Sequence, residues 1–99
     1  MIHGFLKACT VSPALRVADC AFNTQQTIAA MQRAAADGVQ LAVFPELGLT
    51  GYTCGDLFFQ QSLQRAAAKG LAAVLEASVA LDLMALVGLP VAVDGKLYN

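Results

Sequence analysis

Ninety-nine residues, 58% of them hydrophobic and 13% charged, make one domain or part of one and exclude a disordered chain, which needs the opposite balance. Six Lys and Arg against seven Asp and Glu leave a net charge of −1, and without a basic cluster nucleic-acid binding loses its electrostatic term. No Gly-X-Y or heptad repeat supports a collagen-like or coiled-coil chain.

Phe5–Val11 is mostly apolar rather than alternating, the pattern of a strand covered on both faces. Ser12-Pro13 ends it, because proline cannot donate to a strand ladder, and residues 16–19 form a connection. Asn23 and Thr24 are good helix N-cap types; from there Ile28, Met31 and Ala35 share one helical face, and Asp37-Gly38 supplies a C-terminal stop. Val39–Phe44 reads as a second buried strand. Strand, helix and strand at this spacing form a βαβ unit, so the two strands are expected to be parallel.

Pro45 closes the second strand. The loop Glu46–Gly55 follows, with three glycines in ten residues, and Asp56 is placed to cap the next helix. Leu63, Ala67, Leu71, Val74, Leu75 and Ser78 mark that helix's buried face, with Gln60, Gln61, Gln64, Arg65, Lys69 and Glu76 on the other. Gly70 weakens it by about 1 kcal/mol relative to Ala, which close packing on a sheet would explain. Leu83–Leu89 is a third buried strand. Val91–Asn99 has the form of a hairpin about a type I′ turn at Asp94-Gly95. Its returning strand has only Leu97, Tyr98 and Asn99, against a usual length of about 5–6 residues. An incomplete domain is therefore expected, and the high apolar fraction points the same way, as the inner part of something larger.

The most apolar stretch, Leu71–Val93, contains Glu76, Asp82, Gly88 and Pro90, which argues against a membrane span. No basic region followed by an apolar core and cleavage site opens the chain. Cys9, Cys20 and Cys54 are odd in number and widely spaced, and His3 is the single histidine. Neither a metal site nor a disulfide framework has support, and a reducing cytoplasm is the simplest location. His3 reads as solvated, and Phe58 and Phe59 as core or interface residues.

Ligands of open α/β sheets bind beyond the C-terminal ends of the strands, and Glu46 sits just past the second. Partial desolvation in an apolar loop would make its carboxylate a better general base. The residues alone favour the other reading, a carboxylate that caps loop amides or is simply solvated, since perturbed carboxylates can also be structural. Tyr52 has two readings, a wall of a substrate pocket or packing on Leu47 and Leu49. Lys69 and Lys96 read as solvated charges. Cys54 has no nearby base or cation to make it a thiolate, and with Cys9 and Cys20 it reads as structural.

The run Ala42-Val-Phe-Pro-Glu-Leu-Gly-Leu-Thr-Gly-Tyr52 resembles the first signature of the nitrilase superfamily of carbon–nitrogen hydrolases. Within it, Thr53-Cys-Gly-Asp-Leu-Phe58 with Gln60, Gly88-Leu-Pro-Val91, and Asp94-Gly-Lys-Leu-Tyr-Asn99 resemble the glutaminase domains of glutamine-dependent NAD synthetases. So do Ala8-Cys9-Thr10 and Val17-Ala18-Asp19. The resemblance implies an α/β fold, a four-layer αββα sandwich, of which residues 1–99 are the N-terminal part: a βαβ unit followed by helix, strand and hairpin. It implies a Glu–Lys–Cys triad in which Glu46 is the general base, with Lys and Cys downstream of residue 99, and Tyr52 as a substrate contact. By omission of those two groups the isolated chain is expected to lack amidase activity. The resemblance further implies glutamine as substrate, and as partners the remaining amidase segment and a synthetase domain using ATP and Mg, in a homo-oligomeric parent. The chain itself is expected to hold no cofactor and to meet neither nucleic acid nor membrane. Two alternatives are a fragment of a stand-alone amidase and a non-catalytic assembly piece with exposed sheet edges.

Overall fold

The computed structural model describes residues 4–99, so the reading of His3 lies outside the described residues. In chain order the elements are β1 (Ala8–Thr10), α1 (Cys20–Ala36), β2 (Leu41–Val43), a 3-10 helix (Gly55–Phe59), α2 (Gln61–Ser78), β3 (Met84–Leu86), β4 (Val91–Val93) and β5 (Lys96–Tyr98). β2 lies between β1 and β3 and pairs with both in parallel, setting Cys9, Ala42 and Ala85 in one row. The expected βαβ unit is therefore present, and β3 extends it by a second parallel crossover through α2.

The row Cys9, Ala42 and Ala85 faces the helices, where Met31 of α1, Val74 of α2, Phe44 and Leu49 close the main core. Met31 is fully buried, a burial worth about 1.5–3 kcal/mol. The small residues of this row let two helices approach three short strands. On the reverse face Ala8, Thr10, Met84 and Leu86 are exposed. The expectation of strands covered on both faces is thus corrected: the described residues form one helix layer and one sheet layer, half of the four-layer arrangement. Each strand is also shorter than its apolar run. Pairing continues just past the ends through Val11 N donating to Val43 O and Phe44 N donating to Leu86 O, both at 2.9 Å.

Helix α1 starts before Asn23. Asp19 is the N-cap, its Oδ1 accepting from Phe22 N at 3.0 Å, and the Arg16 guanidinium lies over the Phe22 ring, 3.9 Å from its centre. Asn23 and Thr24, expected at the cap, are instead buried one turn inside. Asp37 terminates the helix; its carbonyl accepts from Lys7 Nζ at 2.6 Å, a cation placed where the helix dipole favours one.

Asp56 does not cap α2. It lies in the first turn of the 3-10 helix, and α2 begins after Gln60 without a side-chain cap. The buried face of α2 is Leu63, Ala67, Gly70 and Val74, while Leu71 and Leu75 are exposed, because the helix rests on α1 along a narrow stripe. Gly70 meets Thr24 of α1, not the sheet: a β-carbon there would collide with the Thr24 hydroxyl. The hairpin forms as expected. Val91 pairs with Tyr98 and Val93 with Lys96, and Asp94 (φ 51°) and Gly95 (φ 75°) are both left-handed, as a type I′ turn requires. No helix among the described residues is long and apolar enough to cross a membrane.

Candidate functional site

The parallel sheet delivers Phe44-Pro45-Glu46 to the C-terminal edge of its central strand. Proline stops the ladder, and the chain folds into a tight turn. Gly48 N donates to Pro45 O at 3.1 Å, while Thr50 N (3.2 Å) and Gly51 N (2.8 Å) both donate to Leu47 O. Leu47, next to the carboxylate, has φ 53°, a left-handed conformation costing a residue with a β-carbon about 1–2 kcal/mol. Such strain persists where the surroundings over-determine it, and here they do. Leu49 is buried in the main core and its N–H donates to Gly88 O at 3.1 Å. Thr50, also buried, accepts at its carbonyl from Ala18 N at 2.7 Å.

Asn23 secures this loop from below. Its side-chain amide donates to Arg16 O at 2.8 Å and to Leu49 O at 3.2 Å, and its Oδ1 accepts from Arg16 N at 2.8 Å. One buried side chain thus joins the segment before α1, α1 itself and the Glu46 loop. Gly88, just past β3, presses against the loop from the other side, leaving no space for a β-carbon beside Pro45–Leu47.

The Glu46 side chain is exposed. The expected desolvation is therefore not supplied by these residues: Leu49 turns into the core, while the carboxylate stays at the surface. Its Oε1 accepts from Asn99 Nδ2 at 2.8 Å. Asn99, with Leu47, Phe58, Pro90, Leu97 and Tyr98, lines a hollow of about 180 Å³. Glu46 does not itself line this hollow; it is joined to the hollow's wall through Asn99. Tyr52 is 67% exposed and is not part of that wall. Its exposure goes against packing on Leu47 and Leu49, and its absence from the lining goes equally against a place in the wall of this hollow.

The cysteines divide as their surroundings dictate. Cys54 is buried, its Sγ–H donating to Thr50 O at 3.2 Å and Gly51 O at 3.4 Å, so it pins the loop. Cys20 packs in the same small core with Cys54, Leu63 and Ala67. Burial, then the neighbouring Cys54 and Asp19, push its thiol up from the usual range. All three cysteines are free thiols.

Sequence reasoning missed Asn23 as a loop anchor, and Gly88 and Asn99 as neighbours of Glu46. The last two lay inside motifs that carried the resemblance, where composition alone gave them no role.

A profile of the carbon-nitrogen hydrolase family matches residues 7–99. The chain belongs to the carbon–nitrogen hydrolase family. The glutamine-dependent NAD(+) synthetase of Mycobacterium tuberculosis is 32% identical over 97 residues, 98% of this chain but 14% of that protein. Its Mycobacterium leprae counterpart is 28% identical over the same length. Among solved structures, the glutamine-dependent NAD(+) synthetase of Cytophaga hutchinsonii superposes with a TM-score of 0.87 at 24% identity, over 95% of this chain and 16% of that one. The Acinetobacter baumannii enzyme, solved with ADP, gives 0.85 at 25% identity, over 95% and 18% of the two chains. The carbon–nitrogen hydrolase chain described here therefore spans a small N-terminal share of these relatives and carries their fold over that share.

Proposed function

We propose that these residues form part of the glutaminase domain of a glutamine-dependent NAD synthetase, in which Glu46 is the general base. The observation that carries this reading is the placement of Glu46 at the C-terminal edge of the central parallel strand, tethered to a crevice wall, in a chain whose similar relatives are glutamine-dependent NAD synthetases. Glu46 takes the proton of a cysteine thiol supplied outside residues 1–99. The thiolate attacks the side-chain amide carbon of glutamine, and the C–N bond breaks as the proton passes to the departing ammonia. Glu46 then deprotonates the water that hydrolyses the thioester to glutamate. A lysine, also outside these residues, stabilises the oxyanion. Tyr52, exposed on the same loop, contacts the substrate.

The ammonia serves NAD formation in a synthetase domain that uses ATP and Mg. Among the described residues no three His, Cys, Asp or Glu side chains gather to hold a metal ion, and in this reading ATP and Mg belong to the synthetase domain. The reading also includes a homo-oligomeric parent in the cytoplasm, a location with which three free thiols agree.

The test is a chimera in which this chain replaces the 97 matched residues of the Mycobacterium tuberculosis relative. The chimera releases ammonia from glutamine, and Glu46→Gln lowers the rate by about 10³-fold or more, since a catalytic triad acts as a unit. A folded chimera that keeps its rate with Glu46→Gln overturns the assignment. The isolated chain releases no ammonia; sustained release lost on Glu46→Gln would overturn its reading as a part of the site.

A further inference from the structure

Glu46 is an exposed side chain on a strained turn, and an unrestrained glutamate has three rotatable bonds with which to leave any productive position. Among the described residues one polar side chain holds it: the Asn99 amide, at 2.8 Å. We propose that Asn99 is a positioning residue that fixes the Glu46 carboxylate by donating to Oε1 and leaves Oε2 to exchange the proton. The proposal rests on the assignment of Glu46 as the base.

The scaffold supports the geometry. Asn99 directly follows the last hairpin pair, Val91–Tyr98, so its backbone position is set by β5. The hairpin is in turn held at its root, where Pro90 is buried and Gly88 both abuts the Pro45–Leu47 backbone and accepts from Leu49 N. The carboxylate and its tether therefore ride on two segments fastened to each other within a few residues of the bond. The choice of donor is chemically specific. A primary amide supplies N–H to one carboxylate oxygen without adding a positive charge that would weaken the carboxylate as a base. It orders the side chain in advance, which is the condition for efficient proton transfer from a fixed thiol.

The chimera described above tests this. Asn99→Ala lowers kcat for glutamine hydrolysis by about 10- to 100-fold, the scale of a misplaced catalytic group, and leaves KM within about twofold. Asn99→Asp has the same shape but puts an acceptor and a negative charge against Glu46. A packing role makes it milder than Asn99→Ala; the positioning role makes it more severe. Thermal melting confirms that each variant is folded, which exposed position 99 permits. If Glu46→Gln abolishes activity while both Asn99 variants retain kcat, the positioning role is overturned and the base assignment stands. If Glu46→Gln is itself without effect, the base assignment fails first. Should the chimera not fold, nuclear magnetic resonance of the C-terminally amidated 99-residue chain decides: the Asn99 side-chain amide resonances shift on Glu46→Gln, and unchanged resonances overturn the tether.

Discussion

The Glu46 backbone lies where Gly88 has no room for a side chain: a β-carbon on Gly88 would stand 2.5 Å from Leu47 N, 2.9 Å from Pro45 O and 3.1 Å from the Glu46 carbonyl carbon. These are backbone atoms in a hydrogen-bonded turn, so none can swing away as a flexible side chain would. Gly88→Ala must therefore shift the turn, the hairpin root, or both. The expected cost is about 1–3 kcal/mol, typical of overpacking, read as a lowered denaturant midpoint. In the active chimera the same variant loses glutamine hydrolysis beyond what its stability explains, because the displaced turn carries Glu46. An unchanged midpoint would show that the loop yields freely and is not clamped.

Asn23 offers a sharper test of how the loop is held. Asn23→Ala leaves Leu49 O without its side-chain partner in a buried place and Arg16 N and Arg16 O in a part-buried one, and each group left unsatisfied away from water costs about 1–3 kcal/mol. A loss of at least about 2 kcal/mol follows even if water rescues some of them. Asn23→Asp keeps the size but turns an acceptor toward two carbonyls, and it too destabilises. Equilibrium urea unfolding measures both. Asn23→Asp at wild-type stability would show that these bonds contribute nothing.

Asn23 also shows where sequence reasoning stopped. Its residue type suited an N-cap, but Asp19 takes that place because the Arg16–Asp19 connection turns into the helix a turn earlier. The βαβ order, the hairpin turn and the structural cysteines were legible, since each rests on local patterns of apolar residues or left-handed turn types. The buried stripe of α2 was not. Leu71 and Leu75 fit a helical period as well as Gly70 does, and only the close approach of α1 decides which face is covered. The placement of Glu46 after β2 followed from the chain order of strand and loop. Its exposure and its bond to Asn99 join residues 53 positions apart, a distance that no local pattern spans.

The contact between Gly70 and Thr24 makes opposite predictions for two simple substitutions. Gly70→Ala in an ordinary helix gains about 1 kcal/mol, but here the new carbon collides with the Thr24 hydroxyl, and the overpacking cost of about 1–3 kcal/mol exceeds that gain. The variant is less stable. Thr24 Oγ1 has no hydrogen-bond partner among the described residues, so Thr24→Val removes an unsatisfied buried hydroxyl without changing shape and is neutral or stabilising. Thermal melting of both variants checks the two signs together.

The buried thiols give a pH signature. Cys20 is raised by burial first and by Cys54 second, so its folded-state ionisation lies above that of the unfolded chain. The stability this contributes is complete below the unfolded thiol's range and is lost as pH rises through the folded one. Unfolding midpoints measured from neutral to strongly alkaline pH therefore fall, and Cys20→Ala flattens that fall. With an aromatic disulfide reagent in native buffer, Cys9 reacts ahead of Cys20 and Cys54, which react as the chain unfolds. Equal reactivity of all three would contradict the burial.

The bare side of the sheet sets how the isolated chain behaves in solution. Met84 and Leu86 are 64% and 51% exposed on β3, on the face opposite the helices, and β3 and β1 both end the sheet with unpaired edges among the described residues. Exposed apolar strands with open edges template association. The purified 99-residue chain is expected to elute from size exclusion as a concentration-dependent oligomer. Met84→Lys with Leu86→Lys places two cations on that face, and like charges on neighbouring copies oppose its burial; the elution shifts toward monomer while the helical circular dichroism is kept. If the unaltered chain runs as a monomer at every concentration, the face is not sticky enough to need a partner, and the reading of these residues as an assembly piece fails with it.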